Sequence, residues 1–262
     1  MKNYLVIGNP IEHSLSPLLH NFWIKKYHIS AIYKKMELER NNIAKIISDL
    51  RENKINGINV TVPFKKDVIP FLDGMSDIAK ATNSVNTIYK KEAKVIGDNT
   101  DVYGFSTAIK LSNFDPKNKK ALILGAGGVS PSIIFALKKM GISEIVLSNR
   151  TKQKAESLKK QFPYVKIINW GETAKFDLIV NTTSVGIKNN EEIKLDLSEL
   201  GGDLFYDLIY NPSQTNFLKK AKKLGKKTEN GKNMFIYQAA RAFKIWHNIN
   251  PEVNSEVEGL IK

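Results

Sequence analysis

An α/β chain of two domains is what this sequence predicts, and three observations predict it. Short apolar runs bounded by Gly, Asn or Pro alternate with segments of helical period along most of the 262 residues. A central stretch, residues 119–151, reads strand, glycine-rich turn, helix, strand. Polar clusters fall where the predicted strands end, which is where open α/β sheets bind ligands. The composition, 42% hydrophobic and 25% charged, is that of an ordinary globular protein with ample core for one large or two modest domains.

Taken in order, residues 4–7 form a strand that ends at Gly8-Asn9-Pro10. Ser16 is placed to cap a helix with Pro17 in its first turn, and Leu18, Leu19, Phe22 and Trp23 face inward. Residues 32–38 read as a strand, 41–53 as an amphipathic helix on Ile43, Ile46, Ile47 and Leu50, and 57–62 as a strand closed by Pro63. Short helices at 65–72 and 75–81 precede two paired strands at 84–89 and 94–96, so the first sheet is expected to be mixed. A helix at 101–111 leads into the loop NFDPKNKK, a predicted hinge. Beyond it come strand 121–124, helix 133–140 and strand 145–147. Then follow helix 151–162, strands 165–168, 177–181 and 203–207, helix 213–224, and helical segments at 232–246 and 251–261.

The turn Gly125-Ala126-Gly127-Gly128-Val129-Ser130 carries the chemistry of a dinucleotide site. Gly125 allows the tight turn, while Gly127 and Gly128 let backbone approach a pyrophosphate. The helix that follows offers unpaired N–H groups and the positive end of its dipole. Ser130 stands at the sixth position in place of Gly, and Pro131 sits where its missing N–H costs little. At the end of the next strand an acid would mark NAD. Here stand Ser148-Asn149-Arg150-Thr151, followed by Lys152 and Lys154. A guanidinium grips a phosphate bidentately and a carboxylate would repel it, so NADP is favoured over NAD. Arg150 is one of only four arginines among 40 basic residues. Residues 103–237 therefore read as a Rossmann-like NADP-binding domain. The mixed-sheet substrate domain takes 1–102 plus 238–262, with a cleft between the two.

Net charge is +14, but the lysines are scattered (Lys25, Lys45, Lys54, Lys159, Lys219, Lys222) and no nucleic-acid module appears, so no nucleic-acid partner is expected. The chain has no cysteine, hence no disulfide, thiol nucleophile or Cys-ligated metal. His13, His20, His28 and His247 lack ligand spacing, so no metal is expected. The opening MKNYLVIGNP reads as a strand rather than a signal peptide, and no apolar run approaches the roughly 18 residues of a membrane helix. A cytoplasmic protein without a membrane partner is expected.

The polar clusters are Ser14-x-Ser16-Pro17, Asn59-x-Thr61-x-Pro63 with Lys65 and Lys66, residues 83–87, Gly97-Asp98-Asn99-Thr100-Asp101, Asn181-Thr182-Thr183-Ser184-Val185-Gly186, and Gln238. Hydroxyls, amides, one lysine and one aspartate suit a polyhydroxylated acid, and nothing here looks like a hydrolase triad. Singly, each has a plainer reading. Lys65 is one lysine among many, Asp101 and Ser16 are potential helix caps, Ser14 is a turn residue, Asn59 and Thr61 are the polar side of a strand, and Gln238 is a solvated helix residue.

Together they carry more. GNPIEHSLSP, NVTVPFKK, ATNSVNTI, GDNTDVYGF, GAGG, NRT, NTTSVG, DLIYNP and GKNMFIYQAARAF, in this order, resemble the shikimate dehydrogenase family from about residue 8 to 246. The resemblance implies reversible NADPH-dependent reduction of 3-dehydroshikimate to shikimate, in the biosynthesis of chorismate and the aromatic amino acids. It implies Lys65 and Asp101 as the catalytic pair. Ser14 and Ser16 would take the substrate carboxylate, and Asn59, Thr61, Asn86, Asp101 and Gln238 the ring hydroxyls and carbonyl surroundings, with Tyr210 also at the substrate. Gly125, Ala126, Gly127, Gly128, Val129 and Ser130 would hold the pyrophosphate, and Asn149, Arg150, Thr151 and Lys154 the 2′-phosphate. Thr182, Ser184 and Gly186, with Leu208, Gly231 and Met234, would line the nicotinamide. Ser130-Pro131-Ser132 departs from the family, which commonly has a basic residue there, so one phosphate contact would be missing. Asn181-Thr182-Thr183 varies the family pattern only slightly. A quinate/shikimate relative using NAD is the main rival, and Asn149-Arg150-Thr151 argues against it. A non-catalytic NADP-binding protein is the other, and keeping both Lys65 and Asp101 argues against that. The expected partner is the small-molecule substrate, and the expected assembly a monomer or homodimer.

Overall fold

A computed structural model of the chain describes residues 1–188 and 190–261. They fall into two compact units, one made of Met1–Gly104 with Ile236–Ile261 and the other of Phe105–Phe235.

The first unit is built on β1 (Lys2–Gly8), α1 (Ser16–Lys26), β2 (Ala31–Glu37), α2 (Ile43–Arg51), β3 (Gly57–Val60), β4 (Gly74–Met75), α3 (Asp77–Thr82), β5 (Thr87–Lys91) and β6 (Lys94–Asp98). Its sheet runs β2-β1-β3-β5-β6-β4 and is mixed. β1 pairs parallel with β2 and β3, whereas β3–β5 and β5–β6 are antiparallel. β1 is flanked on both edges, and Tyr4–Ile7 is buried throughout, so it reads as a continuous apolar run without alternation. α2 lays Ile43, Ile46, Ile47 and Leu50 on the sheet beside Ile58, Val60, Ile88 and Val95. On another side, His20, Trp23, Phe243 and Trp246 form an aromatic cluster around Tyr33 and Tyr4.

The second unit follows α4 (Asp101–Leu111) with β7 (Lys120–Leu124), α5 (Ser130–Lys139), β8 (Glu144–Ser148), α6 (Lys152–Gln161), β9 (Val165–Ile168), β10 (Phe176–Asn181), β11 (Gly201–Asp207), α7 (Asn216–Lys223) and β12 (Lys227–Glu229). α8 (Lys232–His247) and α9 (Ser255–Leu260) complete the chain. The sheet order β12-β11-β10-β7-β8-β9 is parallel at every pairing. This is the doubly wound, Rossmann-like order, whose direction of progress reverses between β7 and β10. The carboxyl ends of those two strands are the positions where such a sheet takes ligands, and they carry the Gly125 turn and the Asn181 loop. No described helix is long and apolar enough to cross a membrane, and no group of three or more potential metal ligands occurs among the described residues.

Several local expectations give way to specific competitors. Residues 65–72 do not form a helix: they make turns and a 3₁₀ segment at Ile69–Phe71. Pro70 has no N–H to give the Lys66 carbonyl, which accepts from Ile69 instead. Ser16 is the first helical residue rather than the cap, since Leu15 holds that position and Ser14 Oγ accepts the Ser16 N–H at 3.4 Å. Asp101 does not cap α4: Asn99 Oδ1 accepts the Val102 N–H, and the Asp101 carboxylate turns elsewhere. The helix expected from 213 starts at Asn216, behind a Thr215 side-chain cap on the Leu218 N–H. That expected from 251 starts at Ser255, behind Asn254. The two-residue β4 and the polar β12 have no periodicity of their own and exist by pairing.

Candidate functional site

The polar clusters of the first unit converge. After β3 the chain hooks back, with the Thr61 N–H on the Ile7 carbonyl and Phe64 buried, and this turns Lys65 inward. The Lys65 carbonyl receives the Val85 N–H, fixing the segment against the approach to β5. Asp101 opens α4, where the helix dipole favours a carboxylate. Lys65 Nζ donates to Asp101 Oδ2 at 2.6 Å, with the two residues only 9% and 5% exposed. The other two N–H groups of Lys65 meet no partner among the described residues.

Asn86 organises what surrounds this pair. Its Nδ2 donates to Asp101 Oδ1 at 2.9 Å and to Thr100 Oγ1 at 2.9 Å, and lies 3.4 Å from Gln238 Oε1. Its Oδ1 accepts the Thr100 N–H at 2.7 Å and the Thr87 hydroxyl at 3.1 Å. Asn59 is a strut of the same network: Nδ2 donates to the Asn86 carbonyl and Thr87 Oγ1, and Oδ1 accepts the Tyr33 hydroxyl at 2.7 Å. Both amide N–H groups of Asn59 are therefore occupied within the protein. Tyr33 also reaches the Ser16 side chain. Ser14 and Thr61 are half-buried and Ser16 buried. Sequence reasoning passed over Tyr33, because a strand tyrosine carries no signal beyond β propensity; Thr87 stood only as a member of the polar cluster at 83–87.

In the second unit backbone does more of the work. Gly125, at φ +110°, sits where a Cβ would lie 2.8 Å from Thr182 Oγ1 and from Thr183 Cγ2. Gly128 has nothing within 4 Å of such an atom, and Gly127 and Gly128 are exposed, so the outer face of the turn is open to a bulky anion. Ala126 N–H goes to Asn149 Oδ1, Gly127 N–H to Ser130 Oγ, and Ser130 N–H to the Gly127 carbonyl. Asn149, Ser130 and Thr182 thus brace the turn: the Thr182 hydroxyl lies 3.0 Å from both the Leu124 and Gly125 carbonyls and 2.9 Å from Ser130 Oγ. Arg150, Thr151 and Lys154 are exposed, and neither Arg150 nor Lys154 enters an ion pair among the described residues. Ser184 is exposed, Gly186 and Gly231 are buried, and Leu208 donates its N–H to the Asn181 carbonyl at 3.1 Å. Met234 is buried. Tyr210 belongs to this unit, its ring stacked on Phe235 at 4.4 Å. An open glycine turn at a sheet's switch point, with cations and no carboxylate in residues 149–155 directly after β8, fits a dinucleotide bearing a 2′-phosphate.

Comparison with known proteins gives concordant results. Residues 6–88 match the family model for the shikimate dehydrogenase substrate binding domain, and residues 108–187 that for shikimate/quinate 5-dehydrogenase. The chain is 58% identical to the shikimate dehydrogenase (NADP(+)) of Pelagibacter ubique, over 99% of this chain and 98% of that one. A crystal structure of shikimate dehydrogenase from Aquifex aeolicus superposes with a TM-score of 0.90 at 39% identity, covering 99% of this chain and 96% of the other. The Thermus thermophilus shikimate 5-dehydrogenase in complex with NADP(H) and shikimate gives 0.91 at 31% identity, covering 100% and 98%.

Proposed function

We propose that this chain, which belongs to the shikimate dehydrogenase family, reduces 3-dehydroshikimate reversibly with NADPH and uses Lys65 and Asp101 as its acid/base pair. The observation that carries the proposal is the buried 2.6 Å contact between Lys65 Nζ and Asp101, set among the amides of Asn86 and Gln238. When bound, NADPH supplies the hydride. As the ketone becomes an alcohol its oxygen gathers negative charge, and the free N–H groups of Lys65 are placed to stabilise that charge and deliver a proton. Asp101 fixes the ammonium, and Asn86 fixes Asp101, so the donor is held before substrate arrives. In the oxidation direction Lys65 accepts the proton.

Ser14 and Ser16 are the hydroxyls proposed for the substrate carboxylate, and Thr61, Asn86, Asp101 and Gln238 for ring hydroxyls. Asn59, with its N–H groups occupied, supports the frame. Tyr210 is proposed for the substrate from the second unit. The open face of the glycine turn suits the pyrophosphate, Arg150 with Thr151 and Lys154 suits the 2′-phosphate, and the 182–186 loop with Leu208, Gly231 and Met234 suits the nicotinamide. This activity belongs to chorismate and aromatic amino acid biosynthesis. A cytoplasmic location, a monomeric or homodimeric state and small molecules as the only ligands complete the proposal.

The test is initial-rate oxidation of shikimate with NADP⁺ and NAD⁺ in parallel, and quinate as second substrate. Turnover with shikimate and NADP⁺, at least tenfold faster than with NAD⁺ or quinate, is expected if Arg150 sets cofactor choice, the equivalent of roughly 1.4 kcal/mol. Comparable rates with NAD⁺ or quinate would contradict the specificity, and no turnover with any pair would contradict the function.

A further inference from the structure

Asp207 ends β11 with a fully buried carboxylate that takes no part in the chemistry above. Its Oδ1 accepts from Asn181 Nδ2 at 3.0 Å and from the Ile209 N–H at 3.1 Å, and its Oδ2 accepts from the Thr215 hydroxyl at 2.6 Å. The consequences run outward from Asn181. With Nδ2 turned to Asp207, its Oδ1 faces Thr183 and accepts both that residue's N–H, at 3.0 Å, and its hydroxyl, at 2.7 Å. Thr183 Oγ1 in turn accepts the Val185 N–H at 3.1 Å. At the far end of the loop Gly186, at φ +116°, packs on Thr215 so closely that a Cβ would lie 3.2 Å from its Cβ. One carboxylate therefore governs both ends of residues 182–186, and Thr182 links them to the glycine turn through Gly125 and Ser130.

We propose that Asp207 is the positioning residue of this loop: as a buried acceptor it sets the orientation of the Asn181 amide, and the amide sets the loop. Its importance for cofactor binding rests on the reading above that the loop meets the nicotinamide. Burial against apolar neighbours would hold β10 beside β11 equally well, but would leave the amide oriented only by the Thr183 N–H on its Oδ1 and by the long 3.4 Å contact of its Nδ2 with the Val185 carbonyl. The titratable groups nearby are the buried Tyr206 phenol, Glu229 on β12, which acts on Tyr206, and Glu191, whose carboxylate accepts the Gly186 N–H. None of them donates to Asp207.

Asn181→Asp tests the idea, alone and combined with Asp207→Asn. The single variant sets two carboxylates in contact. They can share one proton in acid but cannot both ionise without repulsion. The double variant exchanges amide and acid: the introduced amide again donates to the introduced carboxylate, whose oxygens remain acceptors for Thr183, while the Ile209 N–H, which shared Asp207 Oδ1 with Asn181, loses its acceptor. Two readouts are needed: hydrogen exchange of the Thr183 and Val185 amides without cofactor, and the NADPH dissociation constant by fluorescence titration. At pH 8 the single variant is expected to raise both roughly tenfold, the size of coupling between residues in contact. The defect should shrink at pH 5.5, and the double variant should recover most of the single variant's loss at pH 8, falling short of the parent because the Ile209 N–H has lost its acceptor. Unchanged exchange in the single variant, or no recovery in the double, would overturn the proposal. Exchange that rises and recovers while NADPH affinity stays fixed would leave Asp207 as the loop's positioning residue. That result would instead refute the reading that the loop meets the cofactor.

Discussion

In the first unit the candidate site consists of buried side chains that hydrogen-bond one another; in the second it consists of an open backbone turn and exposed cations. Lys65, Asp101, Asn86, Asn59 and Thr87 are all buried, and nearly every polar atom has a partner inside the unit. Gly127, Gly128, Arg150 and Lys154 lie exposed. The side chains nearest them (Asn149, Ser130, Thr182) face inward to brace the turn. A site that moves a proton needs its donor fixed before the reaction, because distance errors are costly there. A site that holds a phosphate needs dipoles and mobile cations, which tolerate small displacements.

The comparison can be broken by substitution. A large effect is expected at Asp101→Asn, which keeps the shape but removes the charge that holds Lys65. kcat should fall roughly 10²–10³-fold, as for loss of a positioned acid/base group, with NADPH affinity unchanged. A kcat within about threefold of the parent would mean that the buried pair is structural only. Arg150→Gln should act in the opposite column. The NADPH dissociation constant should rise roughly 10–100-fold from loss of charge-assisted hydrogen bonds, with NADH binding and kcat little changed. An equal loss for both cofactors would place the residue away from the 2′-phosphate.

Acid should separate the units more gently. His20, stacked on Tyr33 at 4.2 Å and 1% exposed, has its pKa held down to about 3 by burial and by neighbouring His247. A depressed histidine contributes stability above its unfolded pKa of about 6.5 that is lost as pH falls toward the folded value, about 2 kcal/mol between pH 7 and 5. Asp207 is pushed up to about 6 by burial, and the sign reverses. Its contribution is fullest below the unfolded carboxyl pKa and declines as pH rises through 6, so the second unit gains about 1 kcal/mol over the same interval. Hydrogen exchange, corrected for intrinsic rates, should show β1 and β2 loosening at pH 5 while β10 and β11 do not. Parallel loosening of both would contradict these assignments.

The legibility of the sequence divides along the same line. The βαβ unit around Gly125 could be read because apolar runs, glycines and spacing are local signals, and so could NADP as the cofactor, from the absence of an acid at the end of the next strand. The partnership of Lys65 with Asp101 has no local signal. It spans 36 residues and came only from motifs in register with a known family. Tyr33 and Asp207 carry no such signal for a physical reason: each is a single polar residue in an otherwise ordinary strand, and only the partners' positions show what its side chain meets. Over 65–72 two local signals oppose each other, apolar spacing that favours a helix and Pro70 that removes one of its N–H donors, and the proline prevails.

The most direct test of the account is single-turnover oxidation of shikimate by Lys65→Ala, with NADPH affinity measured on the same preparation. Hydride transfer should slow roughly 10²–10⁴-fold while NADPH affinity and the shikimate KM stay within about threefold. Transfer at the parent rate would contradict the assignment of Lys65 as the acid/base and, with it, the reading of the buried pair as the catalytic centre.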